Sequence, residues 1–197
     1  MIVYCATTNA GKLREFREAA EELAPGRFAI EPLPHLKDIP PAPEDGDTFE
    51  ANAIQKALYY SLHEDAPVFA EDSGLEVDAL GGAPGVYSAR FAGEGADDEA
   101  NNDRLLEQLR GVAERTARYR CVIALVEKGH LLGTFSGAVE GRILDEKRGT
   151  GGFGYDPLFY YPPFGCTFAE ASAGQKLSVS HRGEAFGKLV EFLSVRI

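Results

Sequence analysis

The tightest constraint on how this chain can fold lies at its start. Ile2 to Ala6 is an apolar, β-branched run that halts at Thr7-Thr8-Asn9. Helical periodicity begins almost at once, with Leu13, Phe16, Ala20 and Leu23 on one face and charges between them, up to Pro25-Gly26. A buried strand feeding straight into an amphipathic helix needs that helix as its cover, which is the opening of an α/β sheet. The segment RFAIEPL supplies a second strand, and Pro32 to Asp47, rich in Pro and Asp, reads as a loop.

The remaining pattern changes character. Asp47 and Glu50 resemble a capping box, opening a helix with Phe49, Ala53, Ala57 and Tyr60 on one face. PVFAE is a short buried strand, followed by glycine-rich turns, and DDEANNDRLLEQLR is a helix with an acidic first turn. RYRCVIALVEKGHLLGTFSGAVEGRIL alternates like two paired strands around a turn at Lys128-Gly129. GTGGFGYDPLFYYPPFG reads as a long aromatic loop, and a last helix carries Phe186, Leu189, Val190 and Leu193. Alternating strands and helices followed by a hairpin predict a mixed sheet.

Composition narrows the function classes. At 197 residues the chain suits one domain. A net charge of -11 opposes wrapping a nucleic-acid polymer, although a local basic pocket can still hold a small phosphate ligand. Cys5, Cys121 and Cys166 are odd in number and widely spaced, which argues against a disulfide framework or a cysteine zinc site and fits a reducing cytoplasm. No segment approaches a signal peptide or a membrane span.

Four stretches could carry chemistry. TTNAGK ends a strand at a helix N-terminus, where free N–H groups and the Lys12 charge suit phosphate; a plain capped turn explains it equally well. A Walker loop, and with it a P-loop kinase, is disfavoured, because Ala6 and Leu13 stand where that pattern needs Gly and Ser or Thr. Glu71 and Asp72 follow an apolar strand just before Ser73-Gly74, and paired carboxylates there favour a hard cation over a solvated turn. In GTGGFGYDP, glycines around Phe153 and Tyr155 allow close approach and stacking on a flat ligand, while a pinned hairpin loop is the plainer account. Lys176, His181 and Arg182 gather at the start of the last helix, where positive charge opposes the macrodipole unless an anion or a base is to be bound.

Together, TTNAGK, EDSGLEVDALGGAPGVYSARF, GTGGFGYDPLF and SHRG resemble, in order and spacing, the inosine triphosphate pyrophosphatase family, over nearly the whole chain. The resemblance implies an α/β fold with a long twisted mixed β-sheet flanked by helices, two lobes forming one domain over residues 1–197 with an active-site cleft between them, and a homodimer. It implies Mg²⁺-dependent hydrolysis of ITP, dITP and XTP to monophosphate and pyrophosphate, clearing deaminated purines from the nucleotide pool. Carried over by motif, Thr7, Thr8, Asn9, Ala10, Gly11 and Lys12 would bind triphosphate. Asp72 would act as general base and metal ligand, with Ser73 beside it on the substrate. Phe153, Gly154, Tyr155 and Asp156 would form the base-binding loop, and Lys176, His181 and Arg182 would read the purine. Two positions depart from the family pattern: Glu44 takes the second metal-ligand role one residue nearer Gly46 than usual, and Glu71 replaces a commoner Asp beside the metal. The sibling family acting on dTTP, UTP or modified nucleotides is the nearest rival, and FGYD and SHRG argue against it. A non-catalytic nucleotide sensor is the rival from another class.

Overall fold

A computed structural model describes residues 1–196. Seven strands form one open mixed sheet in the order β2-β1-β3-β4-β5-β6-β7. They are β1 (Ile2–Cys5), β2 (Ala29–Pro32), β3 (Val68–Val77), β4 (Thr116–Glu127), β5 (His130–Ile143), β6 (Phe159–Tyr161) and β7 (Cys166–Thr167). The flanking helices are α1 (Ala10–Leu23), α2 (Phe49–Tyr60), α3 (Asp98–Gln108), α4 (Ala173–Val179) and α5 (His181–Ser194). β1 pairs in parallel with both β2 and β3, while β5–β6 and β6–β7 are antiparallel, so the expected mixed sheet is present. Lys128 and Gly129, both at positive φ, form the two-residue turn between β4 and β5; consecutive left-handed residues match the twist of a hairpin.

The chain forms two compact units. The first comprises residues 1–72, 121–137 and His181 onward; the second comprises 73–120 and 138–180. In the first, Ala53 and Ala57 of α2 pack with Leu33, Val68, Ala70, Ala124 and Val126. Phe16 of α1 packs edge-on to Phe69 with ring centroids 5.0 Å apart, and lies 5.2 Å from Phe186 of α5. Gly137 lets α5 come close: a Cβ there would sit 2.2 Å from the His181 carbonyl oxygen. In the second unit, Leu75, Val77, Leu105, Tyr119, Leu158, Phe159 and Phe168 form the core.

Several local expectations change. β3 does not stop at Glu71 but runs on to Val77, so Asp72 stands mid-strand. Thr48, not Asp47, caps α2: its hydroxyl accepts from the Ala51 N–H, and Glu50 instead accepts from the Thr134 hydroxyl. Leu23, placed on the core face by periodicity, is half exposed, and Ala19 is buried in its stead. The aromatic stretch contains β6, which pairs with β5 at Arg142 and Ile143. Lys176 is not in the last helix. It lies in α4, closed at its start by a reciprocal Ser172–Gln175 capping box, and in the last turn of that helix, where positive charge is favourable.

Candidate active site

In the first unit the site begins where β1 meets α1. Asn9 caps the helix, its Oδ1 accepting from the Lys12 N–H at 3.0 Å, while the Thr7 hydroxyl accepts from the Asn9 N–H. The N–H groups of Ala10 and Gly11 belong to the first turn, where helix geometry supplies no intrahelical partner. Beside them opens a cavity of about 470 Å³ lined by Thr7, Thr8, Asn9, Ala10, Leu13 and residues of the Pro32–Asp38 segment.

Strand alternation then sets the two carboxylates of β3 to work on different neighbours. Asp72 meets α2. Its Oδ1 accepts from Lys56 Nζ at 2.8 Å, and its Oδ2 accepts from Asn52 Nδ2 at 3.1 Å. Glu44 approaches the same ammonium at 3.6 Å, so two carboxylates converge on Lys56. Burial disfavours the Lys56 ammonium, but Asp72, Glu44 and Glu71 outweigh it and hold its pKa above the ordinary lysine value. Burial likewise pushes Asp72 above the ordinary aspartate range. Lys56 pulls the other way by charge and hydrogen bond, Glu71 adds to the rise, and Asn52 opposes it. An aspartate so placed is a stronger base than one in water.

Glu71 meets α1 and α5 instead. Its Oε1 lies 2.5 Å from Lys12 Nζ and 3.8 Å from an Arg182 nitrogen, with 1% of its side chain exposed. The Cys121 thiol donates to its Oε2. Burial alone would raise Glu71, but Lys12, Arg182 and Lys56 hold it well below the usual carboxylate range. Arg182 also pairs with Glu15 of α1 at 2.5 Å. The sequence grouped Glu71 with Asp72 and Glu44 as metal ligands. The structure brings Asp72 and Glu44 together and commits Glu71 to a separate cation pair, because neighbouring strand residues face opposite ways.

The second unit holds the aromatic loop. Asp156 is buried and accepts at Oδ2 from Lys176 Nζ at 2.7 Å and from the Phe153 N–H at 3.0 Å, and at Oδ1 from the Tyr119 hydroxyl at 3.3 Å. Lys176 Nζ stands 4.6 Å from the centre of the Phe153 ring, a cation–π distance. Gly154 donates to Asp98 and its carbonyl accepts from Asn102; the Tyr155 hydroxyl donates to the Ser88 carbonyl. Gly152, at φ +71°, is forced: a Cβ there would lie 2.1 Å from Asp156 Oδ2. The loop is thus a braced platform presenting a half-buried Phe153 beside a fixed ammonium. Ser73, half-buried, opens this unit, and His181, buried, opens α5 in the first.

A profile of the Ham1 family matches residues 3–192. The chain belongs to the Ham1 family. It is 50% identical over 196 residues to a dITP/XTP pyrophosphatase of Desulforamulus reducens, covering 98% of this chain and 96% of that protein. A dITP/XTP pyrophosphatase of Geobacter sulfurreducens is 50% identical over 190 residues, 95% of this chain and 94% of that one. Among solved structures, the Ham1 protein of Staphylococcus aureus superposes with a TM-score of 0.87 at 38% identity, covering 100% of both chains. The resemblance drawn from the four motifs is therefore borne out, as is the mixed α/β fold.

Two residues central to this geometry escaped sequence reasoning: Asn52 and Lys56. Their signal was present in ANAIQKA, where polar residues four apart share a face beside the buried Ala53 and Ala57. Both are buried, and a lysine and an amide on a buried helix face need partners that only β3 and the Glu44 loop supply.

Proposed function

We propose that this chain hydrolyses dITP, ITP and XTP to the nucleoside monophosphate and pyrophosphate, as a cytoplasmic homodimer whose two units make one catalytic domain and which binds neither membrane nor nucleic-acid polymer. The observation that carries the reading is the convergence of Asp72 and Glu44 on Lys56, in a chain whose relatives are dITP/XTP pyrophosphatases. Among the described residues no three His, Cys, Asp or Glu side chains cluster around a metal position. Two carboxylates nonetheless suit Mg²⁺, which prefers hard oxygen donors and completes its shell with water and substrate phosphates. Asp72 and Glu44 are the proposed ligands, and a bound Mg²⁺ would supply charge stabilisation on the phosphates. Glu71, which the resemblance places beside the metal, is proposed to hold Lys12 and Arg182.

The chain's own residues do the rest. The segment Thr7–Lys12, which leads into the first turn of α1, donates N–H groups and one ammonium to the triphosphate. Asp72 takes a proton from a water whose oxygen bonds to the α-phosphorus while the bond to the bridging oxygen breaks and pyrophosphate departs. Lys56 balances the charge of Asp72, and Lys12 steadies charge on the leaving group. Ser73 is proposed to touch substrate beside Asp72. For the base, Phe153 offers a stacking face, Gly154 close approach, and Tyr155 and Asp156 the frame that fixes them. Lys176, His181 and Arg182 are the donors for a 6-keto oxygen. A donor set facing the 6-amino group of adenine loses its partners, which rejects ATP.

The test is product analysis in ¹⁸O-water with dITP, ITP, XTP, GTP, ATP and dTTP plus Mg²⁺. Label is expected in the monophosphate, with pyrophosphate unlabelled and ATP turned over at least about 100-fold more slowly than dITP. Orthophosphate with a nucleoside diphosphate would defeat attack at the α-phosphorus. Tight nucleotide binding without turnover would favour the sensor. Asp72→Asn should lower kcat by about 10²–10⁴-fold with little change in KM, and an unchanged kcat removes Asp72 from the chemistry.

A further inference from the structure

The loop that carries Glu44 is tied to α2 at several points. Tyr60 accepts from the Ala42 N–H at 3.1 Å, Gln55 donates to Asp45 at 2.8 Å, and Lys56 pairs with Glu44. One further tie differs in kind. The Asn52 side chain is buried and uses both ends of its amide: Oδ1 accepts from the Gly46 N–H at 2.8 Å, and Nδ2 donates to Asp72 Oδ2 at 3.1 Å. A single rigid, planar group thus spans the loop bearing one carboxylate and the strand bearing the other. Gly46 is shaped to that group, since a Cβ there would stand 2.8 Å from Asn52 Oδ1 and 2.8 Å from the Ala51 Cβ.

We propose that Asn52 is a positioning residue, a two-ended latch that sets the spacing of Glu44 and Asp72 and fixes the orientation of the Asp72 carboxylate. No other neutral side chain in this cluster is bonded to both the loop and Asp72 among the described residues. Lys56 also meets both carboxylates, but as a charge on a flexible stem it attracts them without fixing their angle. Asn52 supplies the direction. The inference rests on the proposed function for its catalytic consequence, but the latch itself can be seen without substrate.

Three variants separate its parts. Asn52→Ala removes both bonds. Asn52→Asp keeps the acceptor for Gly46 and loses the donor to Asp72. Gly46→Ala keeps the Asn52 residue but pushes its amide out of position. Amide exchange by NMR reads the Gly46 N–H directly. It should speed in Asn52→Ala and Gly46→Ala and stay near wild type in Asn52→Asp. With dITP and Mg²⁺, kcat should fall about 10–100-fold in all three, as for the loss of groups that orient metal ligands, with KM nearly unchanged. Mn²⁺ titrated alone and followed by electron paramagnetic resonance should bind Asn52→Ala about 10–100-fold more weakly than wild type. The Gly46→Ala/Asn52→Ala double variant should lose little more than either single one, because both break one device.

Wild-type kcat (within twofold) and Mn²⁺ affinity in Asn52→Ala, in protein with a native circular dichroism spectrum, overturn the latch. So does strictly additive loss in the double variant. If Asn52→Ala does not fold, Gly46→Ala, altered only in an outer loop, decides the matter by the same readouts. Slow Gly46 exchange in the wild-type chain that speeds in Asn52→Ala, in a protein that never hydrolyses dITP, would instead uphold the latch and refute the proposed function.

Discussion

Replacing Glu71 by Gln removes the buried negative charge from a trio with Lys12 and Arg182 and leaves the side chain's shape nearly intact. Glu71 is 1% exposed in its side chain and faces two cations, Lys12 at 2.5 Å and Arg182 at 3.8 Å. Removing one partner of a buried ion pair commonly costs 3–5 kcal/mol, because the remaining charge has lost both water and counter-ion. Two features place this case at the lower end: Arg182 keeps Glu15 at 2.5 Å, and the Lys12 side chain is 22% exposed and can turn toward water. A loss of about 3 kcal/mol lowers Tm by roughly 6–12 °C in a chain of this size. The pH dependence follows from the same carboxyl, whose pKa the cations hold well below its ordinary value of about 4.5. Its stabilisation is complete above about pH 4.5 and drains away as pH falls toward the folded-state pKa. The gap in Tm between wild type and Glu71→Gln should therefore be widest at neutral pH and narrow on acidification below that point. Calorimetry at pH 7 and pH 4, with and without Mg²⁺, measures it. A shift under about 2 °C at pH 7 would refute the trio as a stabilising unit. A shift that appears only with Mg²⁺ would return Glu71 to the metal.

Gly137→Ala should destabilise the first unit by at least about 2 kcal/mol, measured by urea unfolding, because its Cβ would collide with the His181 carbonyl and, at 2.7 Å, with the Ala185 nitrogen; wild-type stability would mean that α5 can shift freely. Thiol labelling should divide the cysteines. Burial pushes Cys5 and Cys121 well above the ordinary thiol range, with Glu71 adding to both, while Cys166 is only half-buried. One thiol should react rapidly with a disulfide reagent in native protein and three in denaturant, and three fast native thiols would contradict the packing around Glu71.

The sequence by itself determined the parts whose cause is local. The apolar run Ile2 to Ala6 broken at Thr7-Thr8-Asn9 had to be a strand turning into a helix, and Asn9 does cap it. Lys128-Gly129 had to be a turn, and four spaced motifs were enough to identify the family. What the tertiary structure decided is what depends on which residue stands across from which. The extension of β3 through Asp72 follows from pairing within the sheet, which no local preference of Asp-Ser-Gly reveals. The separation of Glu71 from Asp72 needed both faces of β3 to be known: α1 and α5 bring Lys12 and Arg182 to one carboxylate, and α2 brings Lys56 and Asn52 to the other. Asn52 and Gly46 show the limit most plainly. In the sequence they are an amide on a helix and a glycine in a loop. They become a latch only when the fold places Asp72, 20 residues further along the chain, against the same amide, since a hydrogen bond depends on angstroms of approach that residue order alone does not fix.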